Sequence, residues 1–182
     1  MHQYIAFLRG MNLGNRRIKM DELRRHFEAM KFAGVETFIA SGNVLFSSKA
    51  GDSRKLAASI ESHLAQVLGY SVDTFVRTRG ELAAVAKFQP FASGELSNSG
   101  NTIHVGFWND PPSRAQRDAL VACRTDVDEL CVEGREFYWL CRIKTNESKV
   151  WTSPQMKAVR LPSCTMRNMT TIRKMVTLFP SS

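Results

Sequence analysis

The sequence predicts an α+β protein made of two tandem ferredoxin-like lobes, each an antiparallel sheet with helices on one face. Three observations predict it. Short apolar or β-rich runs alternate with helical periodicity in the order β-α-β-β-α-β-α, and that order occurs twice in the 182 residues. A small, polar stretch at 92–101, ASGELSNSGN, lies between the two copies. The ends of the copies also align, because Arg77, Thr78, Leu82, Val85 and Pro90 each fall ninety residues before Arg167, Asn168, Ile172, Met175 and Pro180. The βαββαβ order is the split βαβ motif, in which helices cover one face of each sheet. The expected division is a first lobe at 1–91, a linker at 92–101 and a second lobe at 102–182, together forming one compact unit.

In order, Tyr4 to Leu8 is a short apolar run stopped by Arg9-Gly10 and reads as a buried strand. Met20, Leu23, Phe27 and Met30 follow at helical spacing, predicting a helix over 19–32 with Gly34 as its C-terminal glycine. Val35 to Ala40 and Val44 to Ser47 are β-rich and flank Ser41-Gly42-Asn43, a hairpin signal. Leu56, Ile60, Leu64 and Val67 mark a second helix closed by Gly69, and Val72 to Val76 a fourth strand. A third helix, carrying Leu82 and Val85, opens on the capping box Thr78-Arg79-Gly80-Glu81.

The second copy begins with a strand at Thr102 to Trp108 and a helix over 113–124 behind a Ser113-to-Gln116 capping box. Leu130 to Val132 and Glu136 to Cys141 form a hairpin around Glu133-Gly134-Arg135. Residues 145–159 fit no single element, since Pro154 interrupts any helix there. Cys164 to Arg167 reads as a strand, and Ile172, Met175 and Phe179 as a last helix.

Hydrophobic residues make up 43% and charged residues 23%, ordinary values for a globular chain. No apolar run approaches the roughly 18 residues that span a bilayer, and Arg9 interrupts the N-terminus before a signal-peptide core can form. A cytoplasmic protein, off the membrane, is the expectation. The cysteines at 123, 131, 141 and 164 lack CxxC spacing, and the histidines at 2, 26, 63 and 104 form no ligand motif. Free thiols are expected, with no metal and no cofactor. Both matches to the glycosylation sequon, at Asn146 and Asn168, read as accidental in that compartment.

Net charge is +8, with an isoelectric point near 9.6. From Arg135 onward nine Lys and Arg face two acids, and Arg9 to Arg25 holds six cations against Asp21 and Glu22. Such clusters suit nucleic acid, another polyanion or a phosphate-bearing small molecule, or they simply solvate the surface. No GxGxxG, P-loop, GxSxG or HExxH motif is present, and Ser41 has no base partner in sequence, so no catalytic group is assigned. The Gly-aromatic-Gly-aromatic signature of RNA-recognition strands is absent.

In a split βαβ lobe the first two strands run the same way. The loop after the first strand, with Arg9, Asn12, Gly14 and Asn15, therefore meets the turn at Ser41, Gly42 and Asn43. Arg9 offers a planar fork of donors, glycine admits close approach, and Asn and Ser are short hydrogen-bonding arms. That edge is either an anion site or a tight loop and turn that need Gly and Asn for positive φ.

The residues that carry a resemblance are Arg9-Gly10-Met11-Asn12-Leu13-Gly14, Ile18-Lys19-Met20 with Leu23, Ser41-Gly42-Asn43-Val44 with Phe46, and Thr165-Met166-Arg167-Asn168-Met169-Thr170 near the C-terminus. In that order they resemble a bacterial domain-of-unknown-function family, numbered sixteen-ninety-seven. The resemblance implies two ferredoxin-like lobes and transfers no catalytic role. This chain departs from the family pattern at Asn15, where glycine is usual, and at Met169, where tryptophan is usual. The recurring positions Arg9, Asn12, Ser41, Gly42, Asn43, Arg167 and Asn168 become the candidate ligand-binding set. The leading expectation is binding of nucleic acid or another anionic ligand. The alternatives are an enzyme or sensor for a small anionic metabolite, and a protein-interaction module.

Overall fold

The computed structural model describes residues 1–179, apart from Leu13, Asn15, Ala40 and Ser41, and of Leu96 only the backbone. The chain divides into two compact units, Met1–Ala86 with Lys174 onward, and Lys87–Arg173. The division falls before position 91, and the last residues group with the first unit.

The first unit is built on β1 (His2–Arg9), α1 (Met20–Ala29), β2 (Ala33–Phe38), β3 (Asn43–Ser48), α2 (Ser53–Leu68), β4 (Asp73–Thr78) and α3 (Arg79–Lys87). Its strands lie in the order β2-β3-β1-β4, and every neighbouring pair is antiparallel. This is the ferredoxin-like arrangement. Alternation along β1 sends Tyr4, Ala6 and Leu8 to the helix face, where they meet Leu23 and Phe27 of α1 and Ile60 and Leu64 of α2. The opposite face is buried too, at Ile5, Phe7, Leu45 and Phe75.

Local chemistry sets the boundaries. Asp52 caps α2 by accepting from the N–H groups of Arg54 and Lys55, and Gly69 closes it at φ +75°. The Thr78 hydroxyl accepts from the Glu81 N–H at 3.1 Å while the Glu81 carboxylate accepts from the Thr78 N–H at 2.7 Å, so the expected capping box is formed. One terminator differs. α1 ends at Ala29, Lys31 takes the left-handed conformation, and Gly34 lies inside β2, beside the register break between Ala33 and Glu36. The helix stops before it reaches Gly34, so that glycine serves a bulge.

The second unit holds α4 (Ser93–Ser97), β5 (Thr102–Phe107), α5 (Arg114–Ala122), β6 (Asp128–Glu133), β7 (Glu136–Cys141), a 3-10 turn (Val150–Thr152), α6 (Pro154–Val159) and β8 (Thr165–Asn168). The strand order β6-β7-β5-β8 repeats that of the first unit. The register repeats as well, since Ile5 stands opposite Arg77 and Val105 opposite Arg167. Ser113 and Gln116 form the expected capping box on α5. Residues 145–159 become the second crossover, with Pro154 at the first turn of α6 where its missing N–H costs nothing. The stretch 92–101 holds a short helix, and Glu95 on it accepts from Asn101 and from the Arg142 guanidinium, which also bonds Glu129. The last described element is the helix α7 (Met169–Leu178). None of the four cysteines forms a disulfide among the described residues, and burial pushes the thiols of Cys123, Cys131 and Cys141 up from their usual range.

Candidate functional site

The loop 10–19 runs from the end of β1 to the start of α1, and its ends are pinned by buried Met11 and Ile18. Two hydrogen bonds hold described residues of this loop, and a third lies at the end of β1. The Asn12 Oδ1 accepts from the Ile18 N–H at 3.1 Å, the Tyr70 hydroxyl donates to the Met11 carbonyl at 3.0 Å, and the Leu8 N–H donates to the Gly42 carbonyl at 2.8 Å. The last bond joins β1 to the hairpin turn, so the structure brings Arg9, Asn12, Gly42 and Asn43 to one end of the first sheet. Ser41 and Asn15 lie outside the described residues.

The two short polar arms described in this group, Asn12 and Asn43, serve the fold. The Asn43 side chain is fully buried and its Nδ2 donates to the Phe38 carbonyl at 3.0 Å, holding the hairpin closed. Asn12 closes its own loop. Gly42 has φ +72°, and a Cβ there would sit 3.1 Å from the Leu8 Cβ and 3.2 Å from the Leu8 carbonyl oxygen. Close approach does require glycine, but what approaches is β1. Arg9 is half-exposed and its Nη1 lies 3.6 Å from the Asp73 carboxylate.

Beside Asp73 is a depression of about 400 Å³ lined also by Glu61, Ser62 and Ser71. Burial, together with the Asp73 charge, pushes the Glu61 carboxyl up against the opposing bond from the Thr74 N–H. Two carboxylates make this hollow unfavourable to an anion. Positive charge lies instead on the loop itself, where Arg16, Arg17 and Lys19 are all exposed. The Arg16 guanidinium stacks over the Tyr70 ring at 4.5 Å from its centroid. Tyr70 and Asp73 were not among the residues singled out by sequence. Asp73 was reachable, since pairing the last residue of β1 with the first of β4 follows from the motif; Tyr70 carries no such signal.

Arg167 and Asn168 belong to the second unit. Asn168 caps α7 by accepting from the Thr170 N–H at 2.8 Å. The Arg167 Nη1 donates to the Thr165 hydroxyl at 2.7 Å and the Met166 carbonyl at 2.8 Å, and burial pulls the guanidinium down to about 10. Its counterpart Arg77 is fully buried and donates to the Val76 carbonyl at 3.0 Å. Among the described residues no group of three His, Cys, Asp or Glu side chains is placed to hold a metal ion, and no helix is long and apolar enough to cross a membrane.

Comparison with known proteins turns on the same segments. The sequence profile of a family described as a protein of unknown function, DUF1697, matches residues 1–138. The chain belongs to this family. The matched region contains loop 10–19 and the β2–β3 turn in full, so the residues that pin them lie inside the DUF1697 pattern. No curated protein matches the chain. Among solved structures, the conserved bacterial protein SP0830 from Streptococcus pneumoniae is 20% identical, with a TM-score of 0.75 over 98% of each chain. At that identity the likeness speaks for the fold alone, and both DUF1697 lobes fall within it.

Proposed function

We propose that the protein binds nucleic acid in the cytosol through the phosphate backbone, with loop 10–19 and Arg9 as the contact. The observation that carries the reading is the exposure of three cations, Arg16, Arg17 and Lys19, on the segment that follows half-exposed Arg9. Buried Met11 and Ile18 and the Asn12–Ile18 bond anchor the two ends of this segment, which lowers the entropy given up on binding. The second unit, by itself, also exposes Lys149, Lys157 and Arg160. The sheet faces argue for phosphate rather than base contact. Phe7, Phe75, Phe107 and Tyr138 are buried, so they offer no platform on which bases could stack. A small-anion pocket at the same edge has less support, because Arg9, Asn12 and Asn43 have protein partners and the adjoining hollow is lined by Glu61 and Asp73.

The test is anisotropy of a labelled mixed-sequence oligonucleotide across a salt series. Binding should weaken steeply and linearly on a log–log plot. Joint replacement Arg16→Glu, Arg17→Glu and Lys19→Glu should weaken binding at least about tenfold and reduce the salt slope by roughly three. Absence of binding at low salt, or a slope unchanged in the triple variant, would reject the reading.

A further inference from the structure

A second surface lies wholly in the second unit. β6 is the open edge of its sheet, and its ladder with β7 runs residue for residue from Asp128–Cys141 to Glu133–Glu136. The corresponding edge of the first unit, β2, carries a register break between Ala33 and Glu36. Breaks of that kind blunt an edge against further pairing, and β6 lacks one. In an antiparallel edge strand, alternate residues turn their N–H and C=O groups away from the only neighbour.

Alongside β6 runs a groove of about 710 Å³, with Leu130 and Val132 of the strand on one side and Val121 of α5 and Phe91 on the other. Its rim is charged, and the charges are unequally engaged. Asp118 faces Arg114 at 3.8 Å, and Glu129 faces Arg142 at 2.7 Å. Arg117 and Arg124 are exposed, and neither guanidinium has a partner among the described residues. Arg117 lies on α5 and Arg124 just beyond its C-terminal end, and both line the groove.

We propose that this groove takes an extended, acidic segment of a partner protein, which adds to β6 as a further strand. Main-chain bonds to the open edge hold it, alternate apolar side chains fill the groove against Val121 and Val132, and carboxylates on the segment pair with Arg117 and Arg124. A second copy of β6 suits the edge poorly. Glu129 and Glu133 lie on one face of the strand, and antiparallel self-pairing would oppose carboxylates to carboxylates.

The probe is a labelled eight-residue peptide of alternating valines with glutamates spaced to reach both arginines, read by fluorescence polarisation against the full chain. Two control peptides carry lysine in place of glutamate, or N-methyl groups on alternate amides. The glutamate peptide should bind, both controls should bind at least about tenfold more weakly, and Arg117→Glu with Arg124→Glu should abolish the preference for glutamate over lysine. Both substitutions are on exposed side chains, and an unchanged melting temperature would certify the fold. No binding of the glutamate peptide at about 1 mM, the weak limit of a specific contact, overturns the proposal. So does equal binding of the N-methylated peptide, or a dimer in sedimentation that the peptide fails to dissociate.

Discussion

Arg9 stands opposite Asp73 across the β1–β4 ladder, its guanidinium 3.6 Å from the carboxylate and both side chains about half exposed. An exposed pair of this kind contributes at most about 1 kcal/mol. Arg9→Ala should therefore shift the melting temperature by no more than about 3 °C, while lowering the salt slope of oligonucleotide binding by about one. A large loss of stability would mark Arg9 as an anchor of the turn.

Gly106 has a stricter role. It pairs with Phe137 across β5–β7, and a Cβ at Gly106 would fall 1.8 Å from the Phe137 ring. Phe137 is fully buried against Trp108 and Trp151 and has no room to yield. Gly106→Ala should cost about 3 kcal/mol or more in chemical denaturation, the upper range for overpacking a core. Gly106→Ala combined with Phe137→Leu should recover part of that loss; a wild-type midpoint in the single variant would contradict the packing described.

Asp128 is buried and accepts from the Trp139 indole, the Ser148 hydroxyl and the Thr125 hydroxyl, each at 2.8 Å. Asp128→Ala removes all three acceptances and should destabilise the protein by about 3 kcal/mol. Near-UV circular dichroism should change as Trp139 loses its bond. A melting temperature within about 2 °C of wild type would show the network to be dispensable.

His63 of α2 and His26 of α1 meet edge to face with ring centroids 5.7 Å apart, and among the described residues neither Nε2 has a hydrogen-bond partner. Glu22 approaches the His26 Nε2 at 3.9 Å. Burial, and secondarily the His26 charge, holds the His63 imidazole below its usual 6.5. The unfolded chain then takes up a proton on His63 before the folded one does, so stability falls as pH drops below about 6.5 and levels off once the folded group has titrated. His63→Leu should flatten the melting-temperature profile between about pH 7.5 and 5 relative to wild type. Parallel profiles would assign the acid sensitivity elsewhere.

The regular elements were legible because their signals are local. The periodicity of Leu56, Ile60 and Leu64, the Thr78 and Ser113 capping boxes and the Glu133-Gly134-Arg135 turn each lie within a few residues of what they specify. α4 and α6 span five and six residues, too short for a period of 3.6 to declare itself. The bulge at Gly34 depends on its pairing with β3, so it read as a helix terminator. Part of the candidate set, at the end of the first sheet, was legible in position but not in role. Topology correctly put Arg9 and Asn12 beside Gly42 and Asn43, whereas the bond from Asn43 to Phe38, the crowding of Gly42 by Leu8 and the pairing of Arg9 with Asp73 come from tertiary contacts. Residue types that suit a ligand also suit a tight turn, and in this loop the turn claims most of them.

The first compact unit takes in Lys174 onward, whereas the second is one unbroken stretch, Lys87–Arg173. Vectorial synthesis therefore delivers the two out of step. The unit that begins first is completed last, after every residue of the other has left the ribosome. Until then its nascent form lacks Met175, which is fully buried in the finished chain, and Phe179, which is nearly so. An arrest-peptide series should register the later-encoded unit gaining mechanical resistance first, with the earlier-encoded one maturing only once the residues from Lys174 onward have emerged.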